Sequence, residues 1–178
     1  MLETLFEECS NQWTQVKNSK KHAFRFFTLA TTASDGRPHI RTVVLRDFNP
    51  INISFTVYTD SRSQKLKELE RDKRAQLLFY DPKKMLQIIV SVVLVKNINE
   101  NKIYNAIPEQ SKKDYSSMIT PGSEINSPDE LQFNFSKGFF SKLTFKAETI
   151  EYLRLKRPNH LRAFFKIDDN WKGTFLVP

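Results

Sequence analysis

The chain has 178 residues, enough for a substantial core; 39% are apolar and 12% aromatic, a globular rather than a disordered composition. A single cysteine, Cys9, excludes an internal disulfide framework and a cysteine-based zinc site, and makes a reducing, cytoplasmic setting the expectation. The net charge of +8, from 28 Lys and Arg against 20 Asp and Glu, fits nucleic acid, anionic lipid or a phosphorylated small molecule, and equally a plain basic surface.

Residues 2–18 place Leu2, Leu5, Phe6, Cys9 and Trp13 at three- and four-residue spacings, which predicts an amphipathic first helix. Its acidic start is not that of a secretory signal. The aromatic and Thr-rich run 24–33, the turn residues Ser34-Asp35-Gly36 and a strand opened by Pro38 over 39–46 predict a β-hairpin. A third strand is expected at 53–59. The period turns helical from Ser61 to Arg71, with Ser61 and Gln64 spaced as a capping box.

Strands are expected again at 75–80 and 85–95. The apolar stretch 86–95 is half a bilayer span and carries Gln87 and Ser91, so no transmembrane helix is expected. Residues 99–118 read as helical with a boundary at Pro108, and 120–130 as a loop suited to a mobile flap. Three last strands are expected near 140–153, 160–167 and 171–177. Many short strands with helices appended at the start and middle predict one mostly-β domain over 1–178, a closed or nearly closed antiparallel barrel. Four scattered glycines allow neither a dinucleotide fingerprint nor a P-loop.

The charges fall in three clusters. Arg41 and Arg46 bracket Thr42-Val43-Val44-Leu45, a run apolar on both faces that predicts a strand covered on both sides. An arginine at the end of such a strand needs an anion, a route to water, or a neighbour such as Asp47. In the second cluster a strand ending at Tyr58-Thr59 meets a helix whose first turn carries Ser61, Arg62, Ser63 and Lys65. Cations there oppose the helix dipole and call for a compensating anion; the ordinary alternative pairs Lys65 with Glu68. In the third, His160, Arg162 and Phe164 share one strand face, while Leu161, Ala163 and Phe165 share a core face. His22 and His39 are assigned no role, and three histidines without acidic partners at ligand spacing predict no metal site.

With these stretches in place, the chain resembles the pyridoxamine 5'-phosphate oxidase-like flavoproteins, which share an FMN-binding split β-barrel. The resemblance runs in order through FFTLATTASDGRPHIRTVVLRDF, VYTDSRSQK, AQLLFY with LQIIV, and the terminal HLR…W…LVP. It looks closest to a divergent branch rather than to the vitamin B6 enzymes themselves. The resemblance implies FMN contacts from Arg41, Thr42, Val43, Val44, Leu45 and Arg46, with Arg41 at the phosphate and Arg46 near ring and substrate. It further implies FMN contacts from Tyr58, Thr59, Ser63, Lys65, Gln87 and Arg162, with His160 beside the substrate.

A homodimer with FMN sites in its interface is implied, so that 41–65 and 160–162 serve one site from different subunits. The departures touch substrate more than cofactor. Gln64 and Pro158 stand where the vitamin B6 enzymes carry arginines, Ile89 and Ser91 replace a common arginine and glycine, and 105–130 places no substrate-phosphate residues. The expectation is an FMN-dependent oxidoreductase acting on an unidentified small molecule. The alternatives are a non-catalytic flavin carrier or sensor, and, less favoured, a basic barrel that binds nucleic acid.

Overall fold

The structure is a computed structural model that describes residues 1–99, 101–136 and 138–178. Helix α1 (Leu2–Gln15) buries Leu5, Cys9, Gln12 and Trp13 on one face and runs into a 3-10 turn at Val16–Asn18. Strands β1 (Phe26–Thr32) and β2 (Pro38–Val44) form the expected hairpin, with Leu29 opposite Arg41 and Thr31 opposite His39. Its turn requires Gly36, whose φ of 85° suits a residue without Cβ.

Then come β3 (Asp47–Asn49), β4 (Ser54–Asp60), α2 (Gln64–Arg71), β5 (Arg74–Asp81) and β6 (Leu86–Ile98). Short helices α3 (Asn101–Ala106) and α4 (Glu109–Lys112) break at Pro108, and β7 (Phe140–Arg154), β8 (Leu161–Lys166) and β9 (Gly173–Leu176) complete the chain. At three residues, β3 is too short for alternation to reveal and was not expected from the sequence. Between α4 and β7 the 120–130 stretch is mainly loop, closed at its base by a bridge between Ser117 and Phe133.

The strands form one antiparallel sheet in the order β2-β1-β5-β6-β7-β4-β3, with β8 added to β7 and β9 to β8. Strand β7 spans fifteen residues. Its first half pairs with β4 and its second with β8, while β6 follows its other edge throughout. Register shifts at Ser91/Val92 and Leu94/Lys96 add twist, and the sheet curls. The curl carries the chain after β2 back to β4, where Arg46 N–H donates to the Thr56 carbonyl at 2.9 Å. The mostly-β split barrel expected from the sequence is the fold observed.

Aromatic side chains fill the barrel. Trp13, fully buried, stands edge-on to Phe55 at 4.9 Å and touches Phe48 and Phe79, while Phe27 stacks on Phe79 at 4.6 Å. The burial expected for β2 fails. Strand β2 is not covered on both faces: it ends the sheet, with Ile40 and Thr42 exposed and Val43 and Val44 half-buried. Its outer apolar side chains are covered by no element of this chain among the described residues.

Candidate functional site

Where β2, β4 and the start of α2 converge they enclose a cavity of about 310 Å³. Arg41, Thr42, Val43, Val44 and Arg46 line it from β2 and its exit, Tyr58, Thr59 and Asp60 from β4, and Ser63 and Lys65 from the helix start. The strand-end and helix-start clusters, separate in sequence, thus meet at one space. Leu45 does not line it; it lies just past the end of β2, and its side chain is buried in the core.

One end of the cavity is a nest of donors. Lys65 Nζ donates to Thr59 Oγ1 at 2.8 Å, and that hydroxyl lies 3.2 Å from Ser63 Oγ. Ser63 is the N-cap of α2 and makes no side-chain capping bond, and the first turn holds no acidic residue. Burial, and then the Arg41 charge, hold the Lys65 pKa below the ordinary lysine value despite Asp60 and Glu68. A lysine at a helix start, repelled by the neighbouring Arg41 of β2, is stabilised when an anion joins it.

The expected capping box does not form. Ser61 N–H is spent on the Phe139 carbonyl at 2.7 Å, leaving nothing for Gln64 to reach back to, and Gln64 is exposed. Arg62, expected in the first turn, instead precedes the Ser63 cap; it is neutralised by Asp60 through Nε at 3.0 Å and Nη2 at 2.7 Å, and lies over the Phe139 ring.

Glu68 does not pair with Lys65 but turns to the hairpin. Its carboxylate is almost fully buried and accepts from Thr31 Oγ1 at 2.5 Å and Arg41 Nη2 at 3.0 Å, with His39 Nδ1 at 2.6 Å. Burial raises its pKa, but those three hydrogen bonds and the Arg41 charge bring it below the usual carboxylate range. Arg41 Nη1 also donates to Thr31 Oγ1 and to the Leu29 carbonyl. His39, assigned no role from sequence, therefore belongs to the shell that fixes Arg41; the register placing it opposite Thr31 could have revealed it.

The other end is aromatic. Arg46 lies 5.5 Å from the Tyr58 ring centroid, and its Nη2 lies 3.5 Å from the Tyr115 hydroxyl. Burial pushes the Tyr115 phenol up, against the Arg46 charge. Tyr115, Asp114 and Pro121 line this cavity but come from a segment whose pattern gave no sign of it.

Gln87, Arg162 and His160 lie elsewhere. Register places Tyr80, Gln87, Leu153, Arg162 and Leu176 in one row across five strands, on the sheet face away from the core. Exposed Phe26, Leu78 and Tyr80 make that face apolar. Arg162 pairs with Glu151 at 2.9 Å and reaches the Val177 carbonyl, and His160 Nδ1 accepts from Lys156 N–H at 3.1 Å. The face assignments expected for 160–165 hold, since Ala163 and Phe165 are buried and Leu161 packs against them.

A model of the family described as pyridoxamine 5'-phosphate oxidase, FMN-binding domain, matches residues 5–94. The chain is 40% identical over 180 residues to the pyridoxine/pyridoxamine 5'-phosphate oxidase of Acinetobacter baumannii, covering 85% of this chain and 77% of that protein. Identity to the enzyme of the same name from Acinetobacter baylyi is 32% over 189 residues, covering 94% and 84%. Among solved structures the fold is similar to PhzG from Burkholderia lata in complex with tetrahydrophenazine-1-carboxylic acid, with a TM-score of 0.76, 19% identity and 97% and 92% of the two chains covered. It is also similar to a pyridoxamine 5'-phosphate oxidase-related, FMN binding protein from Nostoc punctiforme, with a TM-score of 0.73, 19% identity and 93% and 94% covered.

Proposed function

Because this chain belongs to the pyridoxamine 5'-phosphate oxidase family of FMN-binding domains, we propose that it binds FMN between β2, β4 and α2 and serves as an oxidoreductase for a small molecule. The observation that carries this reading is the cavity shared by Arg41 and Lys65. The donor set fits the cofactor: two cations and the Thr59 and Ser63 hydroxyls suit a phosphate, while Val43, Val44 and Tyr58 offer a flat apolar wall for a ring. When bound, FMN supplies the redox chemistry. The chain's own residues supply position: Arg41, held by Glu68, fixes a positive charge at the cavity wall, and Arg46 places another beside the ring wall.

The cavity of about 310 Å³ lies at the small end of the range for ligand sites. A homodimer would complete it, with Gln87, Arg162 and His160 of one subunit closing the site of the other. The apolar sheet face that carries Gln87 and Arg162 supports this arrangement. The proposed setting is the cytoplasm. Pyridoxamine 5'-phosphate, named in the relatives, is the first substrate to assay, although Gln64 and Pro158 stand where the resemblance implies arginines.

An absorbance spectrum of the freshly purified chain tests cofactor binding: flavin bands released on denaturation are expected, and a colourless protein that takes up no added FMN contradicts it. Steady passage of electrons from a reductant to an acceptor separates an oxidoreductase from a flavin carrier, which would show none.

A further inference from the structure

Glu68 joins two basic side chains of β2. Its almost fully buried carboxylate meets Arg41 Nη2 at 3.0 Å through Oε2 and His39 Nδ1 at 2.6 Å through Oε1. Arg41 lines the cavity of about 310 Å³, and Glu68 cancels its formal charge. With His39 neutral, Arg41 therefore brings little net charge to the donor nest. With His39 protonated, the three groups sum to one positive charge at the same wall.

The imidazole is placed to make that change. Its side chain is about half exposed, so it exchanges protons with solvent. A neutral ring can donate from Nδ1 as a protonated one does, so the bond to Glu68 stays and only the charge alters. Burial raises the Glu68 pKa, but its hydrogen bonds and the Arg41 charge bring it below the usual carboxylate range, so it remains ionised at neutral pH. From β1 the ring faces Thr31, which carries no charge. Arg37 beside the hairpin turn pairs with Asp35, and Arg71 of α2 donates to the Thr32 and Ala33 carbonyls; arginines keep their charge throughout. Lys65 lies three residues before Glu68 on α2, its pKa lowered by burial and then by Arg41.

We propose that His39 is a positioning residue for the anion end of the cavity: acting through Glu68, its protonation decides whether Arg41 presents a net positive charge there. A phosphate group is then held more tightly as the solution turns acidic, and its arrival draws a proton onto His39. The inference rests on the reading of that end as a phosphate site, but not on the flavin that would carry the phosphate.

Sulfate and FMN are the probes. Sulfate keeps its charge from mildly acidic to mildly alkaline pH, so any pH dependence of its binding belongs to the protein. Titrated at constant ionic strength and followed by the amide signals of the first turn of α2, its half-saturation in the parent chain should be about three- to tenfold lower at about pH 5.5 than at about pH 8.5. In His39→Gln most of that ratio should vanish, while His39→Lys, with a lasting charge, should hold sulfate tightly at both. His22, His160 and Lys65 are present in every variant, so their titration cancels. FMN, compared between parent and His39→Gln so that its own phosphate titration cancels, should repeat the pattern, and riboflavin should show none. A chain that takes up no FMN yet binds sulfate in this way would remove the flavin reading and leave the role of His39 standing. No saturable sulfate binding, a parent affinity equal at both pH values, or a ratio unchanged in a folded His39→Gln chain would overturn the proposal.

Discussion

Arg41 Nη2 donates to Glu68 Oε2 at 3.0 Å, tying the hairpin strand to the helix whose first turn presents Lys65. The carboxylate is almost fully buried and accepts from Thr31 as well, so it fixes where the guanidinium lies before any ligand arrives. Glu68→Gln keeps the shape and removes the charge. The expected loss is roughly 1.5–3 kcal/mol of unfolding free energy, measured by urea denaturation at neutral pH.

The same carboxylate predicts a pH dependence. Its folded pKa lies below the unfolded value, so its stabilisation is complete above the unfolded carboxylate pKa and is lost as pH falls through the folded one. Denaturation midpoints followed from neutral to acid pH should therefore fall less steeply in Glu68→Gln than in the parent chain. Parallel curves would show that Glu68 titrates alike in both states.

Lys65 behaves in the opposite sense. Its pKa is lowered by burial and by the Arg41 charge, and a phosphate arriving beside it would draw the pKa back up. FMN binding at alkaline pH should thus take up protons, and affinity should fall as pH rises through the lowered Lys65 value. Calorimetry in buffers of different ionisation enthalpy measures the uptake. Lys65→Met should abolish it and weaken binding by roughly 10- to 150-fold.

The outer sheet face gives a prediction about assembly. Phe26, Leu78 and Tyr80 are exposed there beside Gln87. A charge set among them should cost little in an isolated subunit and much in a dimer interface. Leu78→Asp should sediment as a folded monomer where the parent sediments as a dimer, and should hold FMN more weakly. A parent chain that is itself monomeric at assay concentrations would contradict the shared site.

Local chemistry made part of this legible from sequence. The hairpin, α2 and the long strands follow from alternation, turn residues and a change of period. Lys65 stood out because it is a cation at a helix start, where the dipole disfavours an unaccompanied one; Arg41 stood out on an expectation of two-sided burial that β2, at the end of the sheet, does not meet. What escaped was non-local. Glu68 lies three residues beyond Lys65, which suggested a helical pair, yet folding carries it to His39 and Arg41, far off in the chain. Tyr115 reaches the cavity from a segment of short helical turns with no apolar period. Alternation put Arg162 on the correct face, but a single chain does not decide which cavity that face serves.

Arg41 and Lys65 are expected to converge on the phosphate of one bound flavin nucleotide. The most direct measurement compares FMN with riboflavin, which has the ring but no phosphate, in the parent chain and in Arg41→Ala. FMN should bind the parent far more tightly than riboflavin does. Arg41→Ala should erase roughly 1.5–3 kcal/mol of that advantage and leave riboflavin affinity unchanged. Equal affinities for the two flavins in the parent, or an FMN affinity untouched in a folded Arg41→Ala chain, would mean that these cations do not hold a flavin phosphate.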